Sequence, residues 1–565
     1  LKNYIKEILS RHIEIEPEQI YDLLELPPNR ELGDIAFPCF TLAKVLRSSP
    51  QAIAEDLAAK INADSAGKRV EARATGPYLN FYFERTLFAA DFVEKLVAAD
   101  GSYGNSQLGE GKTIVVDYSS PNIAKPFSLP HLRSTMIGNA IINLYKALGY
   151  TTVGINHLGD WGTQFGKEIV AYKLWGNDEA IRRNPIQELV SLYVRFHEEV
   201  EGHPEMEDEA RLWFKKLEDG DEEAVRLWKW FVEESIKEFD KIYRLLGVKF
   251  DHYMGESFYN DKMERVLKEL SEKNLLVESE GALVVEMGED KPPAIIQKQD
   301  GSSIYATRDL AAALYRKDTY DFDKVFYVVG NEQKLHFEQV FSVLDKMGYD
   351  WYGDLLHVPF GLMLFEGKKM STRQGRIVLL EEVLRESIEK ADKIIEEKNP
   401  DLENRAEVAE SIGVGAIIFN DLKNNRMHEV NFSWDEALSF EGETGPYIQY
   451  AYARIQSLLR RATVSLRVKS RIAGEYLTSA VSWDLIYLLT QYEDVVERAA
   501  VRVEPSIIAR YLLDLSAVFN QFYHQERVIT EDDAEQVAKL ALAKGTAEVI
   551  KHGLAILGLK SPAKI

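Results

Sequence analysis

Apolar positions along this chain recur with two periods, and the places where the period changes carry its chemistry. TIVVD, residues 113–117, is a β-branched apolar run of strand character. After a turn, Leu132, Met136, Ala140, Ile141, Leu144 and Leu148 fall at helical spacing, which predicts a helix over about 131–148 with one face buried. TTVGIN (151–156) is again strand-like, so strand, helix and strand form the βαβ unit of a parallel sheet. AIIQ, SIYAT and KVFYVV continue that sheet, the last two leading into helices over about 308–316 and 335–347, and HVPFG closes it. Between about 167 and 288 the pattern is helical and strongly charged and reads as an insertion. Ahead of the sheet, VEARATG and YLNFYF alternate as strands behind an amphipathic start, and the Gly-rich DGSYGNSQLGEGK is the clearest linker. From about Leu380 onward the periodicity is helical throughout, most strongly over 434–462 and 507–528.

The predicted class is therefore α/β: a Rossmann-like parallel-sheet domain with a helical insertion, an α+β N-terminal domain and an all-α C-terminal domain. The expected divisions are 1–110, 111–380 with the insertion at about 167–288, a helical segment at 381–435, and 436–565. At 565 residues and 45% hydrophobic composition the chain can bury several cores. Cys39 is its sole cysteine, which excludes intrachain disulfides and a zinc site built on thiolates; no metal ligands are expected. No apolar run reaches the roughly 18 residues of a membrane span, and the start is amphipathic and charged rather than signal-like, so a cytoplasmic chain without a membrane partner is expected.

A formal charge of −23 argues against a nucleic-acid partner, because a polyanion repels a net acidic surface. The distribution argues the other way. Residues 118–159, 367–380 and 444–474 contain no Asp or Glu, and the last stretch carries Arg454, Arg460, Arg461, Arg467, Lys469 and Arg471.

The first of these stretches includes SPNIAKPFSLPHLRST, residues 120–135, between strand and helix. A strand carboxyl end feeding a helix amino end favours anions, through unpaired N–H groups and the helix dipole. Lys125, His131 and Arg133 add donors there, while Pro126 and Pro130 stiffen the turn; no GxxxxGK[ST] loop occurs anywhere. The bland alternative is that His131 merely caps a helix. The second stretch is KKMSTRQGR (368–376), whose four cations and flanking Gly367 and Gly375 describe a loop able to close on a triphosphate. Alone it would pass for a basic surface loop.

Together with HLRST and KKMSTRQG, the segments SPNIAKP, NHLGDWGTQFG, YATRDLA, VGNEQKLHFEQVF and GPYIQYAYARIQSLLRR occur in order along nearly the whole chain, which resembles the arginyl-tRNA synthetases, class I aminoacyl-tRNA synthetases. The resemblance implies ligation of L-arginine to tRNA in two steps, with ATP as substrate, magnesium accompanying it, and a monomeric chain. It implies catalytic roles for Lys125, Ser128, His131, Lys369 and Arg373, and ATP contacts from Pro130, His131, Lys368, Lys369, Met370 and Ser371. Asn122, Glu256, Tyr305, Asp309 and Gln333 would hold arginine, since a guanidinium is read best by carboxylates and planar acceptors. Tyr78 and Asn80 would meet the tRNA elbow. In the C-terminal, anticodon-binding domain, Tyr447, Tyr450, Arg454, Arg460 and Arg461 would meet the tRNA, with Tyr511, Asn520 and Tyr523 as further candidates.

Three positions depart from the family pattern. Ser128 and Pro130 stand where the H-x-G-H motif has its first histidine and its glycine, and Thr372 stands for the second lysine of the loop motif. Pro130 brings a ring and lacks an N–H where the glycine would let adenine approach. These departures raise a second reading, a tRNA-binding relative without catalytic activity. A nucleotidylyltransferase sharing only the ATP fold would leave the long helical C-terminal half unexplained.

Overall fold

A computed structural model describes residues 1–565 apart from 65–68, 289–290, 299–304, 366–367, 370–377, 463 and 465–470, and apart from the side chains of Arg30, Phe365, Lys368, Lys369, Trp434 and Asp435. At its centre is a parallel sheet of five strands: Thr113–Asp117 (β1), Thr151–Asn156 (β2), His252–Tyr253 (β3), Lys324–Val328 (β4) and Leu355–Val358 (β5). Their spatial order is β5-β4-β1-β2-β3, with β1 in the middle. β-Branched residues dominate β1 because both its faces are covered, and Ile114, Val115 and Val116 are buried.

Helix His131–Ala147 (α1) crosses from β1 to β2. Its pattern predicts one buried face, yet residues on every side of it are buried. The sheet covers one flank and C-terminal helices the other: the Tyr145 hydroxyl donates to the Ala500 carbonyl and Asn143 to the carbonyls of Ala555 and Ile556.

Four features of the sequence reading need correction. Helices Gln164–Trp175 to Glu222–Leu246 form an insertion, but the chain then returns to the central sheet as β3, two residues long and too short to leave a periodic signal. AIIQ (Ala294–Gln297) does not extend the parallel sheet; it pairs antiparallel with Ala282–Val285 in a separate three-stranded sheet. Tyr305 is not in a strand but opens helix Tyr305–Tyr320 (α2). The C-terminal half is not helical throughout either: Val430–Phe432 pairs in parallel with Met363–Phe365, which pairs antiparallel with Lys368–Lys369.

The N-terminal unit has a three-stranded antiparallel sheet, Ile35–Pro38, Tyr78–Phe83 and Val70–Thr75, with Tyr78–Phe83 central and helix Pro50–Ala63 packed against it. Asp34 ties this unit to the C-terminal helices by accepting from Trp483 Nε1 at 2.9 Å while pairing with Arg85 at 2.8 Å. Among the described residues no helix is long and apolar enough to cross a membrane.

Candidate active site

The site is built on the turn between β1 and α1. Ser119, Ser120 and Ala124 all adopt left-handed backbone conformations, with φ of 72°, 49° and 57°, which non-glycine residues hold only when neighbours impose them. The neighbours here are polar. Ser119 N–H donates to Ser134 Oγ, and Ser120 N–H donates to Asn156 Oδ1 at the end of β2. The last insertion helix supplies the remainder, with Tyr243 Oη 2.7 Å from Ser119 Oγ and Ser235 Oγ accepting from the Ala124 amide. The insertion therefore braces the turn.

His131 is the first residue of α1, and its Nδ1 lies 3.1 Å from the Ser128 amide. Nδ1 also lies 3.2 Å from the Ser128 carbonyl, so it either accepts from the amide or donates to the carbonyl, and the tautomer that accepts from the amide carries its ring proton on Nε2, where it can be donated to an anion. Burial lowers the His131 pKa, opposed by a backbone hydrogen bond at Ser128 and reinforced by the Lys125 charge, which favours the neutral ring. Ser128 Oγ is also 3.1 Å from Nδ1, so this serine orients the histidine. Lys125 is exposed at the turn.

Pro130 fits its place. Its φ of −57° is the value the ring imposes, and at a helix start the missing N–H leaves no bond unmade. The anion reading nevertheless changes in two respects. The first amides of α1 are engaged in tight turns, His131, Leu132 and Arg133 N–H donating to the carbonyls of Ser128, Leu129 and Pro130, so they are not free for a ligand. Arg133 is not at the surface: only 1% of its side chain is exposed, and it pairs with Asp421 at 2.8 Å. Its guanidinium also donates to the carbonyls of Gly361 at 2.8 Å, His428 at 2.9 Å and Arg426 at 3.2 Å.

Those contacts anchor the basic loop. Gly361 precedes the strand that leads out to residue 366, and a Cβ there would lie 2.7 Å from the His428 and Met427 carbonyls, so only glycine permits the approach. On the return side, Leu129 N–H donates to the Val378 carbonyl and Leu380 N–H to that of Phe127, while Ser128 and Leu379 form an antiparallel bridge. Both ends of the loop thus stand on residues 127–133. Met370, Ser371 and Arg373 lie outside the described residues, as do the side chains of Lys368 and Lys369; the backbone of Lys369 pairs with Leu364.

The expected arginine ligands gather beyond the carboxyl ends of β1 and β2. Asn122 bridges to Gly159, where a Cβ would sit 2.0 Å from the Asn122 amide oxygen. The Glu256 amide donates to the Leu158 carbonyl, which sets this residue beside the same segment. Burial pushes the Glu256 carboxyl up to about 7; the charges of Asp160 and Asp309 add to this and those of Arg308 and Lys125 oppose it. Asp309 lies in the second turn of α2, with Oδ2 2.5 Å from His336 Nε2. Burial raises its pKa, but the hydrogen bond and charge of His336, with His157 and Arg316, outweigh burial and hold it below the ordinary value. Tyr305 is 65% exposed, and Gln333 is exposed before helix Lys334–Lys346 (α3).

Sequence reasoning assigned no role to Asp160, His336 or Arg308, although each lies within a quoted segment. Asp160 accepts from the Ser257 amide at 2.8 Å and hydroxyl at 2.7 Å, fixing the segment that carries Glu256. His336 joins α3 to Asp309, and Arg308 Nη1 lies 3.6 Å from Glu256 Oε2. The signal available was spacing alone: Arg308 adjoins Asp309, and His336 follows Gln333 by three residues.

The expected RNA contacts divide. Asn80 is 3% exposed and cannot reach an RNA, whereas Tyr78 is half-buried against Phe40 at the end of its strand. Tyr511 is a core residue whose hydroxyl donates to the Leu488 carbonyl. Helix Gly445–Arg461 (α4) and helix Ser506–Gln525 (α5) share a polar and aromatic patch. Arg454 donates to Asn520 Oδ1 at 2.7 Å, Asn520 donates to the Tyr447 hydroxyl at 3.0 Å, and the Arg454 guanidinium lies over the rings of Tyr450 and Tyr523 at 5.0 and 5.2 Å. Arg460 and Arg461 are exposed at the end of α4, Arg460 donating to the Ala563 carbonyl.

Three family models match in sequence along the chain: the arginyl tRNA synthetase N terminal domain at residues 1–83, the class I (R) tRNA synthetase catalytic domain at 92–434, and the DALR anticodon binding domain at 448–565. The parallel sheet, its anchored basic loop and the helical C-terminal unit are those of a class I tRNA synthetase. The arginine–tRNA ligase of Alkaliphilus metalliredigens is 50% identical over 100% of this chain and 99% of its own, and that of an Exiguobacterium species is 54% identical over 99% of each. The arginyl-tRNA synthetase structure of Plasmodium falciparum superimposes with a TM-score of 0.79 at 27% identity, covering 100% of this chain and 99% of its own. That of Thermus thermophilus shares the fold with a TM-score of 0.81 at 24% identity, covering 100% of both chains. The chain belongs to the arginine–tRNA ligase family.

Proposed function

We propose that this chain ligates L-arginine to its tRNA, first forming arginyl-adenylate from ATP and then transferring arginine to the 2′-OH of the terminal adenosine. The observation that carries this reading is the juxtaposition of two kinds of group. Carboxylates suited to a guanidinium, Glu256 and Asp309, adjoin a turn whose Lys125 and His131 suit phosphates; Glu256 feels the charges of both Asp309 and Lys125.

The arginine carboxylate attacks the α-phosphorus of ATP in line and pyrophosphate leaves with its magnesium. The protein supplies positions and charge rather than a nucleophile. His131 and Lys125 serve the phosphates from the turn, and Lys368, Lys369, Ser371 and Arg373 serve them from the loop, with Met370 and Pro130 serving adenine. Asn122 holds the α-amino or carboxylate end; Glu256, Asp309, Tyr305 and Gln333 hold the side chain. In the second step the 2′-OH attacks the mixed anhydride and AMP departs. Tyr78 meets the tRNA elbow, while Tyr447, Tyr450, Arg454, Arg460 and Arg461 meet the anticodon side. We place the reaction in the cytoplasm, performed by a monomer.

Exchange of labelled pyrophosphate into ATP, measured with arginine and with or without cognate tRNA, tests the reading. Exchange is expected at least when tRNA is present; none under either condition would leave a binding role alone. Lys369→Ala is expected to slow adenylate formation about 100-fold, the scale of losing one charge stabiliser. An unchanged single-turnover rate would remove Lys369 from the site.

The pKa of Glu256 gives a pH dependence of known sign. Below about 7 the empty site holds this carboxyl protonated, and a neutral acid cannot pair with a guanidinium. Arginine affinity is therefore expected to rise from pH 6 to pH 8, by up to about tenfold per unit below the pKa, and to level above it. Calorimetric titrations of Glu256→Gln should show weaker binding and a flattened profile; the same slope in both proteins would assign the titration elsewhere.

A further inference from the structure

Three arginine residues are buried among the described residues: Arg133, Arg308 and Arg316. Two are held tightly, Arg133 by Asp421 at 2.8 Å and Arg316 by Asp117 at 2.7 Å. Arg308 is not. Its contacts are with Glu256 at 3.6 Å and Asn260 at 3.4 Å, both long for charge-assisted bonds, whereas its Nε, like that of Arg133 and Arg316, has no hydrogen-bond partner among the described residues. A buried guanidinium with unmade bonds is costly, so this arrangement is easily exchanged for a better one.

Two further facts give the loose pairing a meaning. Glu256 is a carboxylate that the proposed function assigns to the guanidinium of the substrate, and Arg308 already presents a guanidinium to it. Arg308 also lines a cavity of about 720 Å³, bounded in addition by Trp161, Trp228, Ser257, Asn260 and Tyr305. Aromatic faces accept a cation, so the cavity offers the side chain a second resting place.

We propose that Arg308 is a resident stand-in for the substrate: it holds Glu256 while the site is empty and turns into the adjoining cavity when an arginine guanidinium takes its place. Substrate then binds in competition with a group of the protein itself, and its apparent affinity is reduced by the fraction of molecules in which Arg308 occupies Glu256. The competition also makes Arg308 a specificity residue, since a ligand without a guanidinium cannot repay its displacement. This inference rests on the reading of the site as the arginine site.

The test is equilibrium titration of the full chain with L-arginine by calorimetry at pH 8.5, where Glu256 is ionised. Arg308→Met is expected to bind arginine about tenfold more tightly than the parent, as removal of a resident state occupied nine times in ten requires. Arg308→Gln keeps a hydrogen bond to Asn260 without the charge and should give the same direction, with thermal melts reporting whether each variant is folded. Glu256→Gln separates the two readings. If it abolishes binding while both Arg308 variants bind arginine no better than the parent, the stand-in is overturned and the arginine site stands. If Glu256→Gln leaves binding intact, the arginine site itself is elsewhere and the stand-in falls with it.

Discussion

Asp309→Asn is expected to lower kcat/KM for arginine by at least about 30-fold while leaving the KM for ATP within a factor of about two, because a charged partner of a desolvated guanidinium is worth roughly 2–5 kcal/mol. The substitution keeps the shape of the side chain and removes only its charge. Asp309 is well placed to hold that charge: His336, His157 and Arg316 keep it ionised against the pull of burial. A purely structural role predicts a different outcome. If Asp309 served only to join α2 to α3 through His336, Asp309→Asn and His336→Asn would lose similar amounts of thermal stability, and arginine kinetics would stay within twofold of the parent. Steady-state pyrophosphate exchange at varied arginine, then at varied ATP, separates the two.

What the sequence could reveal was set by how far apart the interacting residues lie along the chain. β1, α1 and β2 are legible because each is a local apolar pattern of ordinary length, and the turn between them stands out by its prolines and cations. β3 and the strand Val430–Phe432 are not legible, since two or three residues show no period and exist only through their partners Ile155–Asn156 and Met363–Phe365. Asn80 illustrates the same limit within a strand. Alternation would expose it, but Leu79, Asn80 and Phe81 are all buried in the central strand of the N-terminal sheet. Within the site, the carboxylates proposed to hold arginine stand in ordered motifs, whereas their partners carry no comparable signal. The acid that pairs with Arg133 sits on helix Arg405–Leu422, and no spacing rule relates the two. Reading Arg133 as a phosphate donor was natural in a stretch without carboxylates; folding supplied the carboxylate from elsewhere.

That relocation of Arg133 leads to the second large effect. Arg133→Met is expected to cost about 3–5 kcal/mol of stability, because it strands Asp421 in the interior without its cation. Burial already pushes the Asp421 carboxyl up, with Arg133 the charge that opposes it. Replacing both partners, Arg133→Met with Asp421→Leu, should return most of the lost stability, since a well-packed apolar pair is often as stable as a buried ion pair. It should not return the rate. The carbonyls of Gly361, Arg426 and His428 would still lack their donor, and the outgoing end of the basic loop would lose its footing on α1. Adenylate formation in the double variant is therefore expected to remain about 100-fold slow, the penalty of misplacing a charge stabiliser by about an ångström. Denaturant midpoints and single-turnover rates on the same three proteins decide the matter. If the double variant recovers both quantities, Arg133 serves folding alone and the loop finds its position without it.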